Sequence, residues 1–180
     1  MCKPVNGQRI LLTKDTASQT DETMTYHIDY ISNNEPCCSL DLEESVLTLD
    51  IDRFSEMEKE VISHPFRARD VNWKLKVQPR EHFTRIKTSR CLGVFLQCCP
   101  EEGTPSNWTC YADFELIMVS KKEGVEDYVR AISHTFNKDE DDWGYSAFLM
   151  MKDVSNPACG YIDNDTVTLE VTVRSRALRC

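Results

Sequence analysis

Residues 73–78 read Trp-Lys-Leu-Lys-Val-Gln, so Trp73, Leu75 and Val77 share one face while Lys74, Lys76 and Gln78 share the other. Successive side chains of a strand point to opposite faces, and this alternation predicts a half-buried β-strand. The pattern returns upstream, where Leu47, Leu49 and Ile51 oppose Thr48, Asp50 and Asp52, and downstream, where Val167, Leu169, Val171 and Val173 oppose Thr168, Glu170 and Thr172. Residues 91–97, 110–119, 128–136 and 144–151 are rich in β-branched, aromatic and large apolar side chains, and turn-forming stretches at 101–107 and 121–124 punctuate them. With a short piece at 65–68, eight strands are predicted. No segment sustains a 3.6-residue period, and only 152–156 suits a single helical turn, just before Pro157. Many short strands without helices predict an all-β fold, an eight-stranded antiparallel β-sandwich in which each sheet buries one face.

Outward from these strands, residues 1–40 lack apolar periodicity and are rich in Thr, Ser, Asp and Asn, which predicts a flexible, solvated N-terminal tail. The folded domain is expected over 41–175, with 176–180 the start of a linker or a C-terminal end. At 180 residues, with 41% hydrophobic and 28% charged residues, the chain has the composition of one globular domain plus a tail. A net charge of −9 argues against nucleic acid or an anionic membrane as partner, because neutralising phosphates takes clustered Lys and Arg. The apolar run Ile10, Leu11, Leu12 is far shorter than the core of a secretory signal, so no export is expected.

Nine cysteines form an odd set with adjacent pairs at Cys37-Cys38 and Cys98-Cys99, and reduced thiols are expected. Neither C-x-x-C nor H-x(3–5)-H spacing occurs among them and His27, His64, His82 and His134, so neither a metal nor another cofactor is expected. The sequons at Asn107 and Asn164 read as chance matches in a chain that is not exported.

Several motifs occur in order along these strands: Trp73 to Arg80, Leu92 to Cys98, Asn107-Trp108-Thr109-Cys110, Ile132 to Phe136, Asp142-Trp143-Gly144-Tyr145-Ser146, and Gly160 to Asp165 with its Asp163-Asn164-Asp165. Together they resemble the MATH (TRAF-like) domain family over roughly residues 45–174. Within that family the chain is most similar to the N-terminal domain of ubiquitin-specific protease 7-type deubiquitinases. The resemblance implies a nuclear and cytoplasmic, monomeric sandwich that docks short extended peptides of substrate and regulator proteins, with motifs of the form Pro/Ala/Glu-x-x-Ser. It places Arg80 and Phe95 on a groove, Ser133 near its floor, and Asp142, Trp143, Gly144, Tyr145 and Ser146 along the docking strand. It departs at Ala147, where close relatives often carry a longer polar side chain.

The residues add a physical rationale. With Leu92, Val94 and Leu96 facing the core, Phe95 points outward, and Trp143 and Tyr145 are expected beside it as anchors with polar handles. An edge strand offers free main-chain groups to an added peptide, Gly144 would admit its backbone, and Asp142 would accept a ligand Ser hydroxyl and reject its phosphate. Arg80 would pair with an acidic ligand residue or hold a carbonyl. Blander readings stand beside these: Trp73 and Trp108 as core, Ser133 and His134 as locally bonded side chains, Asp142 as a solvated loop charge, and Trp143 as a plug of the sandwich.

No match to a protease Cys box or His box occurs, so no catalytic residue is expected in this chain. A trimeric receptor-associated adaptor would need heptads before Ser45, and none is visible. A ubiquitin-ligase adaptor would need a BTB or RING module in addition to these residues.

Overall fold

The structure, a computed structural model, describes residues 44–83 and 85–180. The expected tail at 1–40 therefore lies outside the described residues. In chain order the strands are β1 (Glu44–Ile51), β2 (Val61–Ile62), β3 (Phe66–Ala68), β4 (Val71–Phe83), β5 (Thr88–Cys99), β6 (Thr109–Met118), β7 (Tyr128–Asn137) and β8 (Asp142–Met150). A helical turn α1 (Met151–Val154) follows, then β9 (Ile162–Asp163) and β10 (Thr166–Ser175). All eight predicted strands are present. The two extra ones, β2 and β9, are two residues long, too short for any alternation to register.

The strands form two antiparallel five-stranded sheets. One runs β1-β10-β6-β7 with β9 beside β10; the other runs β2-β4-β5-β8 with β3 beside β4. Their inner faces make one core: Trp73, Leu75, Val77, Leu92, Val94 and Leu96 from the second sheet meet Phe114, Leu116, Phe136, Leu169, Val171 and Val173 from the first. Trp73 is fully buried and meets Phe136 edge-to-face at 5.0 Å, while Trp108 is buried at the start of β6. Both are core residues.

Two local features follow from sequence chemistry. The Asp163-Asn164-Asp165 motif is a hairpin turn: Asp163 pairs with Thr166, and Asn164 and Asp165 between them adopt φ of 47° and 58°. Asn and Asp tolerate this left-handed region, which matches the twist of two-residue hairpins. Asp165 also accepts from the Ser55 N–H and hydroxyl at 2.9 and 2.7 Å, tying the turn to the chain after β1. The second feature is an irregularity in the β5–β8 ladder. Val94 pairs with Tyr145 and Leu92 with Leu149, so Gly93 alone spans Ser146, Ala147 and Phe148. Beyond β10, residues 176–180 stay attached to β6: Arg176 N–H donates to Tyr111, and Arg179 exchanges both bonds with Thr109.

Candidate functional site

Among the described residues β7 and β8 are terminal in their sheets, each bonded to one neighbour only, and they lie side by side at the open end of the sandwich. The Cys98 N–H donates to the Asp141 carbonyl at 2.8 Å, which fixes the ladder's alternation. Trp143 and Tyr145 then bond toward β5, and the N–H and C=O of Asp142 and Gly144 turn away from it, toward the free edge.

Directly paired residues on antiparallel strands project to the same face. Phe95 pairs with Gly144, and both project to the outer face of the sheet. There the Arg80 guanidinium lies 5.0 Å from the Phe95 ring centroid and, with the Gln78 amide oriented to suit, donates to it at 2.8 and 3.2 Å. Asp142 is on this face too, bonded through one carboxylate oxygen to Lys76 Nζ at 2.5 Å. Partial burial lowers the Lys76 pKa, but the Asp142 bond and charge, with Glu60 and Asp141 behind, outweigh it and the net shift is upward.

Trp143 and Tyr145 pair with Leu96 and Val94, so they project to the other face, into the gap between the sheets. The outward patch expected to join Phe95 with Trp143 and Tyr145 is therefore corrected: one strand carries them on opposite sides. Trp143 remains 41% exposed, so it is a lid on the sandwich and not a buried plug. Its ring stacks on His134 at 4.0 Å, and His134 meets Phe136 edge-on at 4.8 Å. Burial holds the His134 imidazole below its usual pKa, against an opposing pull from Glu140. Next along β8, the Arg130 guanidinium sits 3.6 Å from the Tyr145 ring centroid, and the Tyr145 hydroxyl donates to the Ala131 carbonyl at 3.1 Å.

Two further expectations change. Gly144 does give a close approach, but to its own sheet: a Cβ there would meet the Val94 carbonyl oxygen at 2.1 Å and Phe95 Cα at 2.7 Å. Ser133 does not floor a groove with Arg80 and Phe95. It projects from the outer face of the other sheet and donates to Asp113, whose carboxyl is held below its usual range by that bond first, then by Tyr111, Arg176 and Arg174 against burial. Ser146 sits exposed in the irregular stretch, its carbonyl accepting from the Cys91 thiol at 3.3 Å.

The site thus has an outer part, Arg80, Phe95, Lys76 and Asp142, and a mouth, Trp143, His134, Tyr145 and Arg130, separated by the free edge of β8. Lys76 and Arg130 escaped the sequence reading. Their signal is positional: Lys76 shares the outer face of β4 with Arg80, and Arg130 shares the inner face of β7 with Ile132 and His134.

Comparison with known proteins agrees with this architecture. The MATH domain family matches residues 46–173. Ubiquitin carboxyl-terminal hydrolase 7 of Drosophila melanogaster is 30% identical over 131 residues, 72% of this chain but 11% of that protein. BTB and MATH domain-containing protein 38 of Caenorhabditis elegans is 29% identical over 146 residues, 81% of this chain and 36% of that protein. Among solved structures, Notothenia coriiceps TRAF5 shares the fold, with a TM-score of 0.51 at 15% identity over 75% of each chain. This chain spans only about a tenth of the hydrolase and about a third of the BTB protein. With two antiparallel sheets around one core, and the family's signature running from β1 to β10, the chain belongs to the MATH domain family of protein-interaction domains.

Proposed function

We propose that this domain recognises short extended Pro/Ala/Glu-x-x-Ser segments by strand addition along the free edge of β8. We further propose that it does so as the recruitment domain of a ubiquitin-specific protease 7-like deubiquitinase in the nucleus and cytoplasm. The observation that carries the reading is the edge at Asp142 and Gly144, unpaired among the described residues, beside a 41% exposed Trp143. An added strand gains main-chain bonds from that edge and rests one side chain on the indole. A ligand Ser hydroxyl would donate to the Asp142 oxygen that Lys76 leaves free, and Arg80 would meet an acidic ligand residue or a carbonyl. A phosphate on that Ser would bring two anions together and weaken binding. In this reading the domain itself catalyses nothing, and hydrolysis of ubiquitin conjugates would belong to a separate domain, since this chain matches only 11% and 12% of the fly and nematode hydrolases.

Isothermal titration with Ala-x-x-Ser peptides tests this. Micromolar binding, about −8 kcal/mol, is expected because a short peptide must order itself on docking. A Ser→Ala peptide should bind at least about tenfold more weakly, since a charge-assisted bond is lost. Equal affinity for both peptides would overturn the proposal. A second reading, a MATH adaptor joined to a BTB module, is favoured by the 81% of this chain matched in the nematode protein. Sequencing the full-length transcript separates the two.

A further inference from the structure

Lys76 begins on β4 and ends on β8. Its partner in the ladder is Phe95 on β5, and Phe95 in turn pairs with Gly144, yet Lys76 Nζ bonds Asp142 Oδ2, one row further along β8. Neighbouring strands lie about 4.8 Å apart, so the side chain stretches across the whole width of β5 to make that bond. It runs diagonally over the outer face, from the row of Phe95 to the row of Gln97, and only 18% of it stays exposed. The acceptor at its end has little else to orient it. Asp142 closes a run of four carboxylates, Asp139 to Asp142, whose mutual repulsion turns each toward solvent. The Gln97 amide, directly opposite Asp142 in the ladder, donates instead to Asp141 at 2.9 Å. With the Asp142 side chain 36% exposed, the Lys76 ammonium is what keeps its carboxylate over the sheet.

We propose that Lys76 is the positioning residue for Ser selection: it holds Asp142 with one oxygen ready for a ligand hydroxyl, and the preference for Ser over Ala at that ligand position depends on it. The inference rests on the strand-addition reading above and adds the side chain that makes that reading selective. Ordering a free, exposed side chain on binding costs roughly two- to tenfold in affinity. That is as large as the gain of about tenfold expected from the ligand hydroxyl, so an unheld Asp142 would offset most of it.

The test is the ratio of Ala-x-x-Ser to Ala-x-x-Ala affinities, measured by isothermal titration for the parent, Lys76→Met and Lys76→Arg chains. Met keeps an unbranched stem and removes the ammonium, whereas Arg keeps the charge and its donors. A loss of affinity common to both peptides, as from a loosened fold, cancels in the ratio. The parent ratio of about ten should fall below about three in Lys76→Met and stay above about three in Lys76→Arg. A parent that fails to distinguish the peptides would overturn the strand-addition reading itself. A parent that distinguishes them while Lys76→Met keeps a ratio above about three, or while Lys76→Arg falls below it, would overturn the role of Lys76 and leave that reading standing.

Discussion

The indole of Trp143 and the imidazole of His134 lie parallel within 2°, their centroids 4.0 Å apart, across the gap between two strands that share no hydrogen-bonded ladder. The contact covers the mouth of the sandwich and holds the exposed ring of Trp143 flat before any ligand arrives. A ring already fixed loses little rotamer freedom on binding.

Trp143→Ala should therefore act on binding more than on folding. Loss of one stacked pair costs about 0.5–1.5 kcal/mol of stability, whereas removal of a central aromatic anchor costs about 2 kcal/mol or more of binding. Thermal melts and peptide titration of the same sample measure the two effects. A variant that melts lower but binds unchanged would refute the site.

His134 gives the fold a pH dependence of defined sign. Its folded pKa is depressed, so the unfolded chain protonates first as pH falls through the ordinary imidazole value of 6.5. The stability it contributes is complete above that value and declines as pH drops toward the folded pKa. Between roughly pH 7 and 5 the parent should lose more stability than His134→Gln. Urea unfolding at both pH values checks this, and equal losses would remove His134 from the account.

Gly144→Ala should destabilise the domain. The added Cβ lands 2.1 Å from a backbone oxygen of β5, and backbone cannot step aside as a side-chain tip can. Overpacking of this kind costs about 1–3 kcal/mol, readable as a lowered melting midpoint. An unchanged midpoint would mean that β8 can shift freely on β5.

Ser133→Ala separates a side-chain role in binding from a local one. The Asp113 carboxyl loses the bond that does most to stabilise its charge, so its pKa should rise toward the ordinary value of 3.8, as NMR titration would show. A depressed carboxyl contributes stability above its ordinary value and loses it as pH falls through the folded one, so the variant should differ from the parent mainly on the acid side. Peptide affinity should change less than about twofold, or 0.4 kcal/mol.

Most of the fold could be read from residues alone, because an alternation such as Leu47, Leu49, Ile51 or Trp73, Leu75, Val77 states which face is buried without reference to any other strand. The outward turn of Phe95 could be read the same way. The relation of Phe95 to Trp143 could not, since it depends on the register that pairs Gly144 with Phe95 and Leu96 with Trp143. Pairing across strands is a property of the assembled sheet, not of either segment. The same is true of Gly144, whose missing side chain answers to Val94, and of Asp142, whose charge answers to Lys76 three strands' width of sequence away.

The irregularity opposite Gly93 acts as a ruler. Beyond Tyr145 the register of β8 on β5 shifts, leaving a regular stretch of about four residues, roughly 13 Å at the usual rise per residue. If a peptide docks there as proposed, the regular edge matches a segment of about four residues. A strand added as proposed would find main-chain partners in line with one another only along that stretch, so residues of a ligand beyond it would have to be held by side-chain contacts instead.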